Sequence, residues 1–487
     1  MVRNQVQLIT YADSLGGDLR ALHTVLTGPF AGLFGGVHIL PFYPSSGDRG
    51  FAPIDYRQVD RTFGTWEDVR RIGAEFDVLA DVMINHISRQ SPLFQDFLQQ
   101  GRRSPHADMF ITLDKVWPGG TAPEADVRRI FLRRPEHPFA DVTIVATGET
   151  ERVWATFGSR DDPEQIDLDV HSPLTRQFLG ELLEHLHSQG ITIVRLDAVG
   201  YVIKKPGTSC FFVDPEIYAF LDWFHDYATA LGMTLLPEVH APRETQLRLA
   251  EHGYWVYDFT LPLLTLHALF TASGATLRDV LRTAPRRQFT MLDCHDGIPV
   301  QPDLDGILPA DEAQAVVARL LERGANLNRL LTRDLSCPDF DAHQVNITYY
   351  SALAGDDEAY LAARALQFFA PGIPQLYYVG LLAGENDHAA VAATGERRAI
   401  NRHDYTLPEI EAAIERPVVK RLFNLIRFRN SYPAFDGTFT VHDTQDHELR
   451  LSWQLGDSAC ALYVDLRTQV AEVSYRDAKG DWKTLTV

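Results

Sequence analysis

The sequence predicts an α/β protein built on a (β/α)8 barrel that carries two inserted subdomains and a small C-terminal β domain. Eight short apolar runs alternate with longer segments of helical periodicity, which is the pattern of βα units around a parallel sheet. Acids and histidines follow several of these runs, at the strand ends where parallel barrels place their active sites.

The eight predicted strands are short, apolar and bounded by turn or polar residues. They cover residues 6–11, 36–41, 78–84, 192–196, 234–237, 255–257, 289–292 and 374–378. Helices are predicted where apolar residues recur at intervals of three and four. The clearest of these segments are 174–187, 215–231, 315–323, 358–369 and 418–429.

Two intervals between the strands are too long for simple crossovers and predict inserted subdomains. The expected barrel comprises residues 1–85, 166–296 and 345–432, with one insertion over 86–165 and a second over 297–344. From 433 to 487 apolar and polar residues alternate between turn signals, as in 449–453, which predicts a separate small β domain.

Composition and charge exclude several classes of protein. The 487 residues include 45 Lys and Arg against 65 Asp and Glu, a formal net charge of −20. This charge repels nucleic acid and anionic membranes, so neither is expected as a partner, and an anionic ligand needs a local basic pocket. The four cysteines form no CxxC pair, which excludes a zinc ribbon and a disulfide framework. No secretory signal pattern or long apolar run is present, so a cytoplasmic protein is expected.

Four of the predicted strands end in ionisable residues. These are Asp81 and His86, Arg195 and Asp197, Glu238 and His240, and His295 and Asp296. One acid after a strand is commonly a helix cap, but four such strand ends together indicate an active site.

Paired carboxyl groups facing one cavity suit glycosyl transfer, because one must be ionised at the reacting carbon while the other protonates the leaving oxygen. Asp197 lies two residues after Arg195, so strand alternation points both inward, and the guanidinium is expected to hold the carboxyl group ionised. Glu238 follows the apolar residues 235–237, an environment expected to raise its pKa and suit it to general acid catalysis.

Four segments resemble, in order and spacing, the signature regions of glycoside hydrolase family 13, the α-amylase family. They are Asp-Val-Met-Ile-Asn-His at 81–86, Arg-Leu-Asp-Ala-Val-Gly-Tyr at 195–201, Glu-Val-His at 238–240 and His-Asp at 295–296. Segments 6–11, 36–41, 372–380 and 400–403 further resemble the sucrose phosphorylase branch of this family. The resemblance covers nearly the whole chain and implies a TIM barrel with two insertions.

The resemblance implies a role for each matching residue. Asp197 would be the nucleophile, Glu238 the general acid/base and Asp296 the transition-state stabiliser. The residues expected to hold or surround the glucosyl unit are Asp48, Phe51, His86, Phe157, Gln165, Arg195, His295 and Arg402. A covalent α-glucosyl enzyme would form on Asp197, and inorganic phosphate would then take the glucosyl group with retention of configuration.

Two positions depart from the family pattern. Cys294 stands where Asn is usual before the last His-Asp, and Ile193 stands where Gly is usual in the second region, but neither change removes a catalytic group. Many amylases bind calcium partly through the Asn that matches Asn85, whereas this branch generally does not. No metal ion and no cofactor are therefore expected.

Members of the branch differ mainly in the leaving group. Arg133 replaces a Pro that is typical of sucrose phosphorylases, and His343 replaces a Tyr, so each adds possible positive charge in an otherwise acidic chain. Arg can bind a phosphate dianion bidentately. The expected leaving-group and phosphate residues are Arg133, Arg134, His240, His343 and Gln344. Lys204 and Lys205 could add further charge, and the alternative for these lysines and for Arg133 is a solvated surface group. In the branch, the residues that match Arg134 and His240 bind inorganic phosphate. The sequence therefore does not separate the residues that bind the sugar phosphate from those that bind inorganic phosphate.

Arg133 and Arg134, with the serine-containing loop at 44–47, resemble the members of the branch that act on sucrose 6-phosphate. This resemblance implies that sugar, which carries its phosphate on the fructosyl C6, as the substrate. Its cleavage by inorganic phosphate would give α-D-glucose 1-phosphate and fructose 6-phosphate. Sucrose and glucosylglycerate are alternative substrates within the branch, and plain hydrolysis is an alternative outcome. A non-catalytic family member that serves as a transporter partner would lack the three acids, which are present here. Both a monomer and a homodimer are compatible with the sequence.

Overall fold

The computed structural model describes residues 2–159, 162–331 and 340–486. Its central sheet contains eight parallel strands, which we call the first to the eighth barrel strands. They are Gln7–Thr10, Gly36–Ile39, Asp77–Met83, Ile193–Asp197, Thr234–Pro237, Val256–Asp258, Gln288–Thr290 and Ile373–Tyr377. Their order in the sheet is sixth, seventh, eighth, first, second, third, fourth and fifth, which is the circular order of a (β/α)8 barrel. The predicted fold class is confirmed, and each predicted strand lies within two residues of the observed one.

The described chain divides into two compact units. One contains residues 39–239 and 330–341, and the other contains the segments before 39, from 240 to 329 and from 342 onward. No helix in the described ranges has both the length and the apolar composition needed to cross a membrane.

The 39–239 unit carries the third, fourth and fifth barrel strands. In the register of these strands Asp81 lies opposite Arg195 and Met83 lies opposite Asp197. Arg195 in turn lies opposite Leu236 of the fifth strand. The register therefore brings an acid and an arginine of neighbouring strands side by side at the carboxyl end of the sheet.

Two short antiparallel sheets and several helices complete this unit. The sheets pair His86–Ser88 with Gln165–Asp167, and Phe139–Thr143 with Thr150–Trp154. The α-helices are Trp66–Gly73, Pro92–Gln100, Leu113–Val116, Glu124–Val127, Pro173–Ser188 and Glu216–Ala230. A buried cluster of apolar side chains that includes Phe94, Phe97 and Phe110 packs against both sheets, so the first long interval has a hydrophobic core of its own.

The other unit carries the remaining barrel strands and two antiparallel sheets. The spatial order of the three-stranded sheet is Ile298–Pro299, Ala342–Asn346 and Asn326–Arg329. Along the chain, the helix Ala310–Glu322 lies between Ile298–Pro299 and Asn326–Arg329. The α-helices of this unit are Leu19–Thr27, Arg243–Glu251, Leu261–Thr271, Ala275–Arg282, Ala310–Glu322, Tyr349–Ala352, Asp357–Phe369, Tyr378–Leu381, His388–Thr394, Leu407–Ile414 and Pro417–Ser431.

The chain ends in the expected antiparallel sheet. Its five strands are Thr438–Val441, Glu448–Leu455, Ser458–Asp465, Val470–Arg476 and Trp482–Thr486, in sequential order. Leu449, Leu451 and Trp453 are buried, and the indole of Trp453 donates a hydrogen bond of 2.8 Å to the carbonyl of Phe369. The alternation read from the sequence therefore marks the face of the sheet that packs against the helix Asp357–Phe369.

Candidate active site

One buried guanidinium binds three carboxyl groups in the 39–239 unit. Arg195 Nη1 donates to Asp81 Oδ1 at 2.6 Å and to Asp197 Oδ1 at 2.8 Å. Its Nη2 lies 3.6 Å from Glu238 Oε1. The side chain of Arg195 is only 5% exposed, and those of Asp197 and Glu238 are 15% and 12% exposed. The two acids predicted to do the chemistry thus share one cation in a largely desolvated space.

The protonation of Asp197 differs from the expectation that Arg195 simply keeps it ionised. The pKa of Asp197 is raised to about 8: burial is the largest cause, Arg195 acts in the opposite direction, and the nearby charges of Glu238 and Asp81 add to the rise. One guanidinium does not neutralise three carboxylates, so Asp197 stays protonated to a higher pH than an isolated carboxyl group does. Arg195 lies closer to Asp197 than to Glu238, so its charge opposes the protonation of Asp197 more strongly than that of Glu238.

The backbone after Asp197 is strained in a way that orients the other acid. Ala198 has a φ of 56°, in the left-handed region that non-glycine residues rarely occupy. Its N–H donates to Glu238 Oε2 at 3.0 Å. This turn directly after the fourth strand therefore ties the position of Glu238 to that of Asp197.

Three of the residues expected around the glucosyl unit meet at one carbonyl. The carbonyl of Phe51 accepts hydrogen bonds from His86 Nε2 at 3.0 Å and from Gln165 Nε2 at 3.1 Å. Burial lowers the pKa of His86, so the ring is neutral near pH 7 and carries its proton on Nε2. The Arg195 guanidinium lies 5.9 Å from the centre of the Phe51 ring.

Asp48, a fourth predicted member of this group, is exposed and lies in the loop before Phe51 with a φ of 47°. Two serines hold that loop together. Ser45 Oγ donates to the carbonyl of Ala52 at 2.8 Å, and Ser46 Oγ lies 2.6 Å from Ser88 Oγ. The serine-containing loop singled out in the sequence therefore shapes the segment that carries Asp48.

Phe157 connects the glucosyl group of residues to the predicted leaving-group arginine. Its ring packs against His86, with centroids 5.4 Å apart, and against Tyr201 at 5.2 Å. The guanidinium of Arg133 lies 5.8 Å from the Phe157 ring centre, and the Arg133 side chain is half-buried. Arg134 is fully buried and donates to the carbonyl of Ala155 at 3.2 Å.

Lys204 is held by a buried acid rather than by solvent. Its side chain is 3% exposed, and its ammonium nitrogen lies 2.7 Å from Oδ2 of the fully buried Asp167. It also donates to Asn85 Oδ1 at 3.0 Å and to Thr156 Oγ1 at 3.2 Å. Lys205 is surface-exposed and bound to Glu216. Both lysines are therefore held by acids of their own surroundings.

The other unit holds Asp296 between basic residues. Arg398 Nη1 lies 3.0 Å from Asp296 Oδ1, and Arg402 Nη2 lies 4.0 Å from the same atom. Arg402 Nε donates to the carbonyl of His295 at 2.9 Å, and His295 Nε2 lies 3.8 Å from Asp296 Oδ2. The predicted residues Asp296, His295 and Arg402 thus form one group.

His240, His343 and Gln344 also lie in this unit. The rings of His240 and His343 meet edge to face with centroids 5.7 Å apart. His343 Nδ1 donates to the carbonyl of Gln301 at 2.7 Å. Gln344 is buried, and its side-chain oxygen accepts a hydrogen bond of 3.5 Å from Arg398.

Sequence reasoning missed Arg398 and Asp303. Arg398 joins Asp296 to Gln344, and Asp303 Oδ2 lies 3.0 Å from His240 Nδ1. Arg398 lies four residues before Arg402, on a short helical turn, and this spacing was the signal available in the sequence. Asp303 lies in a Pro-Asp-Leu-Asp-Gly turn, where an acid is usually only a turn former.

Comparison with known proteins places these residues in a family. Residues 33–260 match the catalytic-domain model of the α-amylase family. The chain is 54% identical to a sucrose 6(F)-phosphate phosphorylase of Thermoanaerobacterium thermosaccharolyticum, over 99% of this chain and 98% of that protein. It is 42% identical to a glucosylglycerol phosphorylase of Marinobacter adhaerens, over 98% of each chain.

A solved structure agrees with this comparison. The crystal structure of a sucrose 6F-phosphate phosphorylase from Thermoanaerobacter thermosaccharolyticum matches with a TM-score of 0.98 and 54% identity, and the match covers 100% of this chain and 99% of that chain. Three findings indicate the same family: the signature motifs, the strand order, and the full-length identity to phosphorylases that act on small molecules. The chain belongs to glycoside hydrolase family 13, the α-amylase family, and is a glycosyl-transferring phosphorylase of its sucrose phosphorylase branch.

Proposed function

We propose that this enzyme cleaves sucrose 6-phosphate with inorganic phosphate to α-D-glucose 1-phosphate and fructose 6-phosphate. The observation that carries the proposal is the 54% identity, over nearly the whole chain, to a sucrose 6(F)-phosphate phosphorylase. The half-buried Arg133, which packs on Phe157 beside His86, supports it. A guanidinium held there can bind a phosphate dianion that a neutral proline in its place cannot bind.

In the proposed first step, a carboxylate oxygen of Asp197 attacks the anomeric carbon of the glucosyl unit. The bond from that carbon to the fructosyl oxygen breaks, and Glu238 gives its proton to the departing oxygen, which leaves as fructose 6-phosphate. Arg195 contacts both acids. It holds Asp197 in position for attack and lies near the negative charge that Glu238 gains when it gives up its proton.

In the proposed second step, an oxygen of inorganic phosphate attacks the same carbon, and Glu238 takes a proton from the attacking phosphate. The ester bond to Asp197 breaks, and α-glucose 1-phosphate leaves with the original configuration. Asp296 stabilises the positive charge that develops at the carbon in both steps, and its contact with Arg398 supports its ionised form. No metal or cofactor takes part in this scheme.

The other predicted residues have positioning roles in this proposal. Those that hold or surround the glucosyl unit are Asp48, Phe51, His86, Phe157, Gln165, Arg195, His295 and Arg402. The residues assigned to the leaving group and to phosphate are Arg133, Arg134, His240, His343 and Gln344. The cluster around the Phe51 carbonyl supports the roles of Phe51, His86 and Gln165. The cluster around Asp296 supports those of His295 and Arg402.

We propose the same domain division as the sequence indicates, with insertions at 86–165 and 297–344 and a β domain from 433. Each insertion contains strands that pair with one another, which supports the division. The strand Ala342–Asn346 continues past the boundary at 344. The proposed compartment is the cytoplasm, where the charge of sugar phosphates retains them, and the enzyme is a monomer or a homodimer.

The covalent step is tested by mass spectrometry of the enzyme mixed with sucrose 6-phosphate in the absence of inorganic phosphate. We expect a mass increase of one glucosyl residue on the peptide that contains Asp197, and its loss when phosphate is added. A modified peptide elsewhere, or no modification during demonstrated turnover, would remove Asp197 as the nucleophile.

A further inference from the structure

One loop fixes both of the histidines assigned to phosphate. Asp303 Oδ2 lies 3.0 Å from His240 Nδ1, and the carbonyl of Gln301 accepts a 2.7 Å hydrogen bond from His343 Nδ1. Gln301 and Asp303 flank a single proline, and the backbone of this loop is bonded to the His343 strand through Val300 N–H at 2.9 Å. Both rings therefore direct Nδ1 toward the loop and leave Nε2 on the opposite edge.

The two histidines have chemically different partners. His240 faces the carboxyl group of Asp303, which is 1% exposed, whereas His343 faces a neutral carbonyl. A buried carboxylate is stable only beside a cation or several donors, so the pair favours the imidazolium form of His240. A carbonyl partner fixes the tautomer of His343 without adding charge. Of the two rings, His240 is the one whose Nδ1 faces a carboxyl group.

The ring of His240 is also held rigidly. It stacks on Phe259 with centroids 4.2 Å apart and is 13% exposed on its side chain. The ionisable groups around it in the same unit are Asp303, His343 and Asp296, and Glu238 lies two residues before it in the chain. A pre-oriented imidazolium loses little entropy when it binds an anion, so the geometry suits a binding group rather than a solvated surface charge.

We propose that Asp303 is the positioning residue that makes His240 a cationic donor to inorganic phosphate. Asp303 holds the Nδ1–H of His240 and keeps the ring protonated, and the Nε2–H of His240 donates to a phosphate oxygen. This inference rests on the proposed function, since it assigns one basic residue to the acceptor of that reaction.

Position favours inorganic phosphate over the phosphate of the sugar. A ring nitrogen of His240 and a carboxylate oxygen of Asp296 lie within 4.8 Å of each other. In the proposed mechanism Asp296 serves the anomeric carbon, which inorganic phosphate attacks directly. The phosphate on the fructosyl C6 is several bonds away from that carbon. A positively charged His240 beside Asp296 would therefore contact the attacking phosphate. Arg133 would bind the phosphate of the sugar.

The test is the steady-state kinetics of Asp303→Asn, with phosphate and sucrose 6-phosphate varied separately. Asn keeps the size and one acceptor oxygen of Asp but cannot balance an imidazolium. We expect the KM for phosphate to rise roughly tenfold or more, because a charge-assisted contact is lost. The KM for sucrose 6-phosphate and the rate of hydrolysis without phosphate should stay within about twofold of the wild-type values.

Asp305→Asn is the matched control, since it makes the same change two residues along in the same turn and should leave all these constants unaltered. Asp303→Glu, which restores the charge, should recover part of the phosphate affinity. In a double-mutant cycle, His240→Gln with Asp303→Asn should bind phosphate no more weakly than His240→Gln alone.

An unchanged KM for phosphate in Asp303→Asn, or equal losses in phosphorolysis and hydrolysis, would overturn the inference and leave the proposed function standing. If the wild-type enzyme forms no α-glucose 1-phosphate from sucrose 6-phosphate, the proposed function and the inference fail together. Should Asp303→Asn not fold, nitrogen NMR of histidine-labelled wild-type enzyme decides, with the His240 signal assigned by His240→Gln. Protonation of both ring nitrogens near neutral pH is expected, and a neutral ring contradicts the inference.

Discussion

Arg195 Nη1 lies 2.8 Å from Asp197 Oδ1, so the proposed nucleophile is held by a cation from its own strand. The same nitrogen donates to the fully buried Asp81, and the guanidinium therefore cannot neutralise every acid around it. This shared pairing explains why burial raises the pKa of Asp197 to about 8 despite the arginine. The first two predictions concern charges that are buried in the 39–239 unit.

The first prediction concerns the pH dependence of stability. A carboxyl group in an unfolded chain has a pKa of about 3.9, below the folded value of about 8 for Asp197. Between these values the folded enzyme binds more protons than the unfolded chain, so its stability falls as pH rises through that range. Asp197→Asn cannot ionise, and its free energy of unfolding should therefore exceed that of the wild type by an amount that grows from about pH 5 to about pH 8.

Urea unfolding at several pH values measures this difference. A difference that stays constant with pH would mean that Asp197 titrates normally in the folded enzyme. The same variant should lose turnover by roughly a thousandfold or more, since no other acid replaces the nucleophile.

The second prediction concerns the buried pair of Lys204 and Asp167. Lys204→Met should destabilise the enzyme by about 3–5 kcal/mol, because it leaves the fully buried carboxylate without its cation. Lys205→Met is the neighbouring control and should cost within about 1 kcal/mol, since its ion pair with Glu216 is exposed. Thermal or urea unfolding of both variants decides, and similar losses in the two would contradict the burial argument.

The third prediction concerns Gly380, which lies against the buried ion pair of Arg364 and Asp293. Arg364 Nη2 is 2.7 Å from Asp293 Oδ2, and a Cβ atom at Gly380 would overlap both groups. Gly380→Ala should therefore cost about 1–3 kcal/mol or more of stability through overpacking. Gly47→Ala is the control, since its Cβ would meet only Glu164, at 3.7 Å. Melting temperatures of the two variants test this, and an unchanged value for Gly380→Ala would refute it.

The fourth prediction concerns substrate choice at Arg133. Arg133→Ala should weaken use of sucrose 6-phosphate relative to sucrose by about 1–3 kcal/mol in kcat/KM, because a charge-assisted phosphate contact is lost. Arg128→Ala removes an exposed arginine of the same segment, which is paired with Glu124, and should change neither substrate. Equal losses on both sugars would place Arg133 outside the leaving-group site.

The sequence predicted the barrel well because its signals are local. Apolar runs set the strands, and the alternation at 449–453 set the buried face of the terminal sheet. The acids at strand ends were found for the same reason, since in a parallel barrel the end of each strand is also the place of the active site.

Long-range pairings could not be read in this way. The burial and pairing of Lys204 depend on Asp167 and Asn85, which lie far away in the chain. The importance of Arg398 depends on Asp296, and that of Asp303 depends on His240. The balance of charge at Asp197 likewise needs the burial and the three carboxyl groups that only the folded chain brings together.

The most direct test of the account is the release of α-glucose 1-phosphate by the purified enzyme in phosphate buffer, with sucrose 6-phosphate and sucrose compared at equal concentration. We predict a strong preference for the phosphorylated sugar. Equal or faster release from sucrose would contradict the assignment of sucrose 6-phosphate as the substrate while leaving the catalytic acids in place. Release from neither sugar would contradict the proposed function, and glucosylglycerate would then be the next substrate to assay.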